Sequence, residues 1–240
     1  MRTPIICLLL APLYSFSQTC IVIVKTETRI VVAADSKRIT FIPLSNGKDS
    51  LRSDSICKVR HTGDIFFSNS GFDSENAYKT AQLCAESAGG IEKAALLYKS
   101  LRKTAIEQYL RALKMKGTLQ QRFEYLWFYS TVFYGIEWEI PIVVRVDFAL
   151  VSRPDEEIKL TENINVFKSR ETNIVAIGHT NIVDSLIKKG VLEKRGVVDA
   201  AYFCVALQAE RTPLTVALPI TMAVLAPDKL EWKFNPFKCD

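Results

Sequence analysis

Two short runs near the start of the chain constrain its fold more than anything else in it. Thr19 to Lys25 reads Thr-Cys-Ile-Val-Ile-Val-Lys, and Arg29 to Ala34 reads Arg-Ile-Val-Val-Ala-Ala. Both are rich in β-branched or small apolar residues, the composition of strands. Neither alternates between apolar and polar positions, as a strand with one wet face would. Both faces of the sheet they build must therefore be covered. The intervening Thr26-Glu27-Thr28 is short enough to be a tight connection, so the two strands pair as neighbours.

The rest of the chain is read in blocks. Ile39 to Ser53 holds Pro43, Asn46-Gly47 and several polar residues, which predicts a loop or an irregular hairpin. Lys58 to Arg60 and Asp64 to Ser68 form a second hairpin around Thr62-Gly63. Two helices follow. Ser74 to Ser87 ends at Gly89-Gly90, and Ile91 to Met115 carries Ala95, Leu101, Ile106, Leu110 and Leu113 at helical spacing and stops at Gly117. A strand block spans Ser130 to Val151 with a break near Glu137 to Pro141, and Ile174 to Ile177 is a further strand. Helices are expected at Val183 to Lys189 and Val197 to Glu210, and closing strands at Thr221 to Ala226 and Leu230 to Phe234. Helices that come in blocks, and do not alternate singly with strands, argue against a doubly wound parallel sheet. The order predicts an α+β, four-layer αββα sandwich: two stacked antiparallel sheets with a helix pair over each outer face.

Composition narrows the function classes. The chain has 240 residues, 48% hydrophobic and 24% charged, with a formal net charge of +5. That supports one sizeable domain. The positive residues are scattered, as in Lys99, Arg102, Lys103, Arg111, Lys114 and Lys116, so no basic arm for nucleic acid is present. Two histidines and six cysteines without a CxxC pair argue against a zinc site, and no cofactor or metal is expected.

The first 17 residues have the form of a signal peptide. Arg2 supplies a positive start, Ile5 to Leu13 an apolar run, and Ser15-Phe16-Ser17 small residues at the positions before a cut. The apolar run is too short to span a bilayer, Pro12 interrupts it, and no later segment reaches about 18 uncharged apolar residues. The expectation is a leader at 1–17, a single domain at 18–240 and a secreted or periplasmic protein without a membrane span. Disulfides are then permitted, but with Cys7 removed an odd number of cysteines remains, and sequence does not decide the pairing.

One constellation carries chemistry. Asp35 stands 16 residues after Thr19, in the run Val31-Val32-Ala33-Ala34-Asp35-Ser36-Lys37. This register resembles the start of a proteasome β subunit, where a terminal threonine begins one strand and Ala-Ala-Asp-Ser-Arg ends the next, at the same spacing. Cys57-Lys58-Val59 resembles the family element that delivers a lysine, and Ile65-Phe66-Phe67-Ser68-Asn69-Ser70-Gly71 the strand that ends in Ser-Gly. The motif-level likeness covers about the first third of the domain. It implies an N-terminal-nucleophile (Ntn) hydrolase. Thr19 would be the nucleophile and its own α-amine the base. Lys58 would be the charged neighbour, Asp35 would hold that lysine, and the Gly71 N–H would donate to the oxyanion.

Departures from the family pattern are also legible. Gln18 precedes Thr19 where the family has glycine. His179 in Ile177-Gly178-His179-Thr180 stands where the family has a serine. The stretch Glu210-Arg211-Thr212-Pro213-Leu214 lacks the family's Asp, Ser and Gly-Gly. Cys20 is a rival nucleophile, one residue out of register. Two function classes follow: a threonine peptidase or amidohydrolase acting on a peptide or small amide, or a binding or scaffold protein that keeps the fold without catalysis. A homo-oligomer is compatible with both.

Overall fold

The computed structural model describes residues 14–17, 19–43, 49–72, 74–117, 128–151 and 158–239. Most of the expected leader thus lies outside the described residues. The elements are β1 (Tyr14–Ser17), β2 (Cys20–Lys25), β3 (Ile30–Ala34), β4 (Lys37–Pro43), β5 (Asp49–Ser55), β6 (Arg60–Thr62), β7 (Ile65–Phe72), α1 (Ser74–Ser87) and α2 (Ile91–Met115). After these come β8 (Phe128–Glu137), β9 (Ile140–Val151), β10 (Lys159–Phe167), β11 (Asn173–Gly178), α3 (Asn181–Lys188), a 3-10 turn at Val191–Lys194, α4 (Val197–Arg211), β12 (Thr221–Ala226) and β13 (Lys229–Phe234).

The two opening strands pair as their composition requires. β2 and β3 form an antiparallel hairpin with Ile21 opposite Ala34 and Lys25 opposite Ile30. They lie at the heart of a five-stranded antiparallel sheet, ordered β11-β2-β3-β12-β13. Every residue of both strands is buried. Ile21, Ile23, Ile30 and Val32 face the other sheet, meeting Val59, Phe66, Val132, Tyr134 and Val143. The alternate residues Cys20, Val22, Val24, Val31 and Ala33 face Ala201, Cys204 and Val205 of α4. Two buried faces explain why the runs are apolar at every position.

The second sheet runs β10-β9-β8-β7-β1-β4-β5, with β6 branching from β7. Its core body is β7 to β10. Among the described residues the β4–β5 hairpin pairs with that body through β1, which pairs Phe16 and Ser17 with Phe72 and Gly71 on one side and Tyr14, Ser15 and Phe16 with β4 on the other. The segment expected as a loop or irregular hairpin is thus a ladder of seven paired positions, Lys37 to Pro43 against Asp49 to Ser55. The break near Glu137 is a two-residue hairpin whose central residues, Trp138 and Glu139, take φ 52° and 64°, matching the twist of the flanking strands. The Glu137 carboxylate accepts from the Ile91 N–H at the N-terminus of α2, where a negative charge is favoured.

The four-layer αββα sandwich with a helix pair on each outer face is corrected by this arrangement. Among the described residues more are strand than helix. Only the larger sheet carries a helix pair, with α1 and α2 packed on it through Tyr78, Ala81, Ala94, Ala95 and Tyr98. On the smaller sheet α4 alone lies across β2 and β3. α3 has eight residues, buries only Val183, and leans on α4 and the edge strand β11. Block order shows where helices come in sequence but not what each can cover, and two turns of helix are too short to cover a sheet face.

Among the described residues no helix is long and apolar enough to cross a membrane. A disulfide joins Cys57 to Cys239 across 182 residues, while Cys20, Cys84 and Cys204 are buried free thiols. The inter-sheet layer makes a direct prediction. Ile23→Ala removes a fully buried side chain from the centre of that layer and should cost about 2–5 kcal/mol. Denaturant unfolding would read this as a lower midpoint at unchanged slope.

Candidate active site

The β2–β3 hairpin builds the site through its register. With Ile21 opposite Ala34, the next residue outward on β3, Asp35, lies across from Cys20, beside Thr19. The Asp35 N–H donates to the Cys20 carbonyl at 3.1 Å, and the Cys20 N–H donates to Asp35 Oδ1 at 2.8 Å. The separation of Thr19 and Asp35 is closed by two strands and one turn.

Lys58 comes from the irregular segment before β6. Its Nζ donates to Thr19 Oγ1 at 2.8 Å and to Asp35 Oδ1 at 2.9 Å. Thr19, Asp35 and Lys58 are all fully buried. Of the residues expected to form the site, Lys58 therefore touches both Thr19 and Asp35. Gly71, the fourth, stands at the end of β7 with φ 113°, between Ser17 of β1 and Tyr129 of β8. Its neighbour Ser70 turns its Oγ towards Gly178, which abuts the Thr19 carbonyl.

Asp35 is held from several directions. Oδ1 accepts from Cys20 and Lys58, and Oδ2 from the N–H groups of Lys37 at 3.0 Å and Ala217 at 3.5 Å. Burial pushes its carboxyl pKa up, against Lys58 and the backbone donors, which favour the charged form. Burial likewise pushes the Lys58 ammonium down from the ordinary lysine range, against the pull of Asp35. Lys58 Nζ donates to the threonine hydroxyl, so the ammonium is placed to favour negative charge developing on that oxygen. The Cys20 thiol is pushed well up, by burial first and by Asp35 second. It stays protonated and points to the α4 side, so the rival nucleophile is disfavoured.

Further groups support the trio. The Tyr78 hydroxyl on α1 donates to the Lys58 carbonyl at 2.9 Å and accepts from the Asn69 N–H at 3.3 Å. Gly178 has φ +93°, and a Cβ there would lie 1.7 Å from the Thr19 carbonyl oxygen, so only glycine fits. The next residue, His179, contributes its backbone: its N–H donates to the Thr19 carbonyl at 2.6 Å. Thr180 Oγ1 instead bonds Asp184 at the start of α3. The loop after α4 supplies no Asp or Ser to the site. It supports Asp35 through Ala217 N, and its Ala217 carbonyl accepts from Ser36 N at 3.3 Å. His61 stacks on Phe66 and bonds the Gly63 carbonyl, away from the trio.

Among the described residues no group of three His, Cys, Asp or Glu side chains could hold a metal ion. Compared with protein-family models and with curated proteins, the chain matches none.

The buried ion pair makes two predictions. Asp35→Ala and Lys58→Met each strand a buried partner and should each destabilise by about 3–5 kcal/mol, whereas the double variant should lose less than their sum. A double-mutant cycle by thermal unfolding checks this. The second concerns pH. A lysine depressed in the folded state contributes stability that is fully present above its unfolded value, about 10.4, and is lost as pH falls through the lowered folded value. Wild type should therefore gain stability relative to Lys58→Met as pH rises towards 10.

Proposed function

We propose that the protein is an exported threonine-type N-terminal-nucleophile hydrolase that cleaves amide bonds in a peptide or small amide. The observation that carries this reading is the line Thr19 Oγ1–Lys58 Nζ–Asp35 Oδ1, with steps of 2.8 and 2.9 Å and no solvent contact. A hydroxyl, a lysine of lowered pKa and an orienting carboxylate are the parts that nucleophilic acyl transfer requires. The likeness of the Thr19, Asp35, Lys58 and Gly71 segments to proteasome β subunits supports the same assignment.

The chemistry starts once the residues ahead of Thr19 are gone. In the intact chain Thr19 is fully buried and β1 lies alongside Gly71. That state is latent. Removal of residues 1–18 frees an α-amine on Thr19, whose ordinary pKa of about 7.7–8.0 leaves it substantially neutral near pH 8. Thr19 Oγ attacks the substrate carbonyl carbon, and its proton passes to the α-amine, while the Lys58 ammonium steadies the charge that develops on Oγ. The oxygen of the tetrahedral intermediate takes up negative charge beside the Gly71 N–H. The C–N bond breaks, the amine leaves with the proton, and an ester on Thr19 remains. Water then attacks the ester, giving the acid and restoring Thr19. Asp35 keeps Lys58 in reach throughout.

The second reading, a binding or scaffold protein without catalysis, is favoured by the complete burial of Thr19 while β1 is in place. The two readings separate on the terminus and on one reagent. Protein recovered from the exported fraction should begin at Thr19. An epoxyketone, which needs hydroxyl and amine on one residue, should label Thr19 alone. Thr19→Ala should abolish labelling, and Lys58→Ala should slow it by about 10²–10⁴-fold. A chain that retains Gln18 and takes no label would make the non-catalytic reading the better one.

A further inference from the structure

Lys58 lies in a stretch without regular structure, yet each residue around it is tied to a different part of the fold. The Ile56 N–H donates to the Ser36 carbonyl at 2.9 Å, next to Asp35. The Lys58 carbonyl accepts from Tyr78 of α1. Val59 is fully buried in the inter-sheet core. Cys57 is bonded to Cys239, and this is the single covalent tie of the four.

The far end of that bond is also placed with respect to the site. Cys239 is nearly buried, and its N–H donates to Asn235 Oδ1 at 2.7 Å. Its sulfur lies 4.0 Å from Thr221 Oγ1. Thr221 is fully buried and pairs with Ala34, the residue before Asp35. The cross-link therefore runs from the residue before Lys58 to the strand end beside Asp35.

We propose that Cys57 and Cys239 are positioning residues for Lys58, and that the Thr19 site is competent only while they are joined. The inference rests on the hydrolase reading above. The need for such a strap follows from the cost of the site. An ammonium held away from water beside one carboxylate is drawn towards solvent whenever its backbone can move. Cys57 is half-buried, so a small dithiol can reach the bond. Exchange breaks the S–S bond. Two electrons and two protons from the dithiol give two cysteine thiols, and the dithiol becomes a disulfide. The segment around Lys58 then keeps three non-covalent ties, and the tail at Cys239 keeps the Asn235 contact.

The test uses the exported chain with Thr19 at its terminus, oxidised or treated with dithiothreitol, alongside the Cys57→Ala/Cys239→Ala variant. Two quantities are read by mass spectrometry: acylation of the Lys58 ε-amine by a water-soluble active ester, and the pH profile of epoxyketone labelling at Thr19. Circular dichroism confirms that each sample remains folded. In the oxidised chain Lys58 should resist acylation. In the reduced chain and the variant it should be acylated, and labelling should fall by about a hundredfold, the scale of a 1 Å misplacement, with its pH profile displaced. Equal protection of Lys58 and equal labelling profiles in all three samples would overturn the inference and leave the hydrolase reading standing. Absence of label from the oxidised chain with Thr19 exposed would overturn the hydrolase reading. Lys58 acylation would still decide whether the strap positions that side chain. If the variant unfolds, reduction of the wild type below its melting temperature carries the same comparison.

Discussion

The carboxylate of Asp35 is the joint on which this molecule is assembled. It gathers donors from the start of β2, from its own turn at Lys37, from the loop after α4 at Ala217, and from Lys58. Those donors come from both sheets and from a loop far along the chain. A buried carboxylate must be satisfied or it becomes neutral, so each donor is required by the others. The same condition that makes the carboxylate tolerable inside the protein also aims the Lys58 ammonium at Thr19.

Such an arrangement costs stability. Two charges taken out of water are seldom repaid in full by their mutual attraction, and a packed apolar pair of similar volume would serve the fold as well or better. The expensive pair lies at the end of the inter-sheet layer, where Ile21, Ile23 and Val32 already supply apolar burial. Nothing in the packing requires charge there. Its placement against a threonine hydroxyl, and not elsewhere in the layer, is the observation on which the proposed hydrolase reading rests.

How much of this could be read from the chain depends on which groups act. Thr19 and Asp35 were legible through the resemblance to proteasome β subunits, whose spacing between the two residues is carried by a hairpin register, and the two strands are legible in composition alone. α1, α2 and β12 were legible from periodicity and glycine stops. Lys58 was less secure, since the β4–β5 ladder before it looked like a loop: its strands are polar, and Pro43 and Asn46-Gly47 read as breakers. Tyr78 and Ala217 N were not legible as parts of the site, and Gly178 and His179 were legible only as the stretch that matches a family turn, not as the close approach and the N–H that meet the Thr19 carbonyl. Three of these act through backbone atoms or the absence of a side chain, which sequence does not mark, and Tyr78 meets Lys58 only through tertiary packing. β10 was not read from the sequence because the polar run Thr161-Glu162-Asn163 interrupts its apolar positions and it is held mainly by its ladder to β9. The paired-helix expectation for the smaller sheet failed on size, since α3 is too short to act as a layer.

The Cys57–Cys239 bond also sets an order of events. It turns residues 57–239 into a closed ring, with Thr19 and Asp35 on the arm outside it. A chain emerging from its N-terminus presents the arm first, then Cys57, and only after a further 182 residues the partner sulfur. Until then the hairpin that carries the threonine can form, because its contacts are local, but the ring cannot shut. The parts of the site are therefore made early and locked late, and a chain cut short between Lys58 and Cys239 carries the hydroxyl, the carboxylate and the lysine without the bond that ties the lysine's segment to the chain's far end.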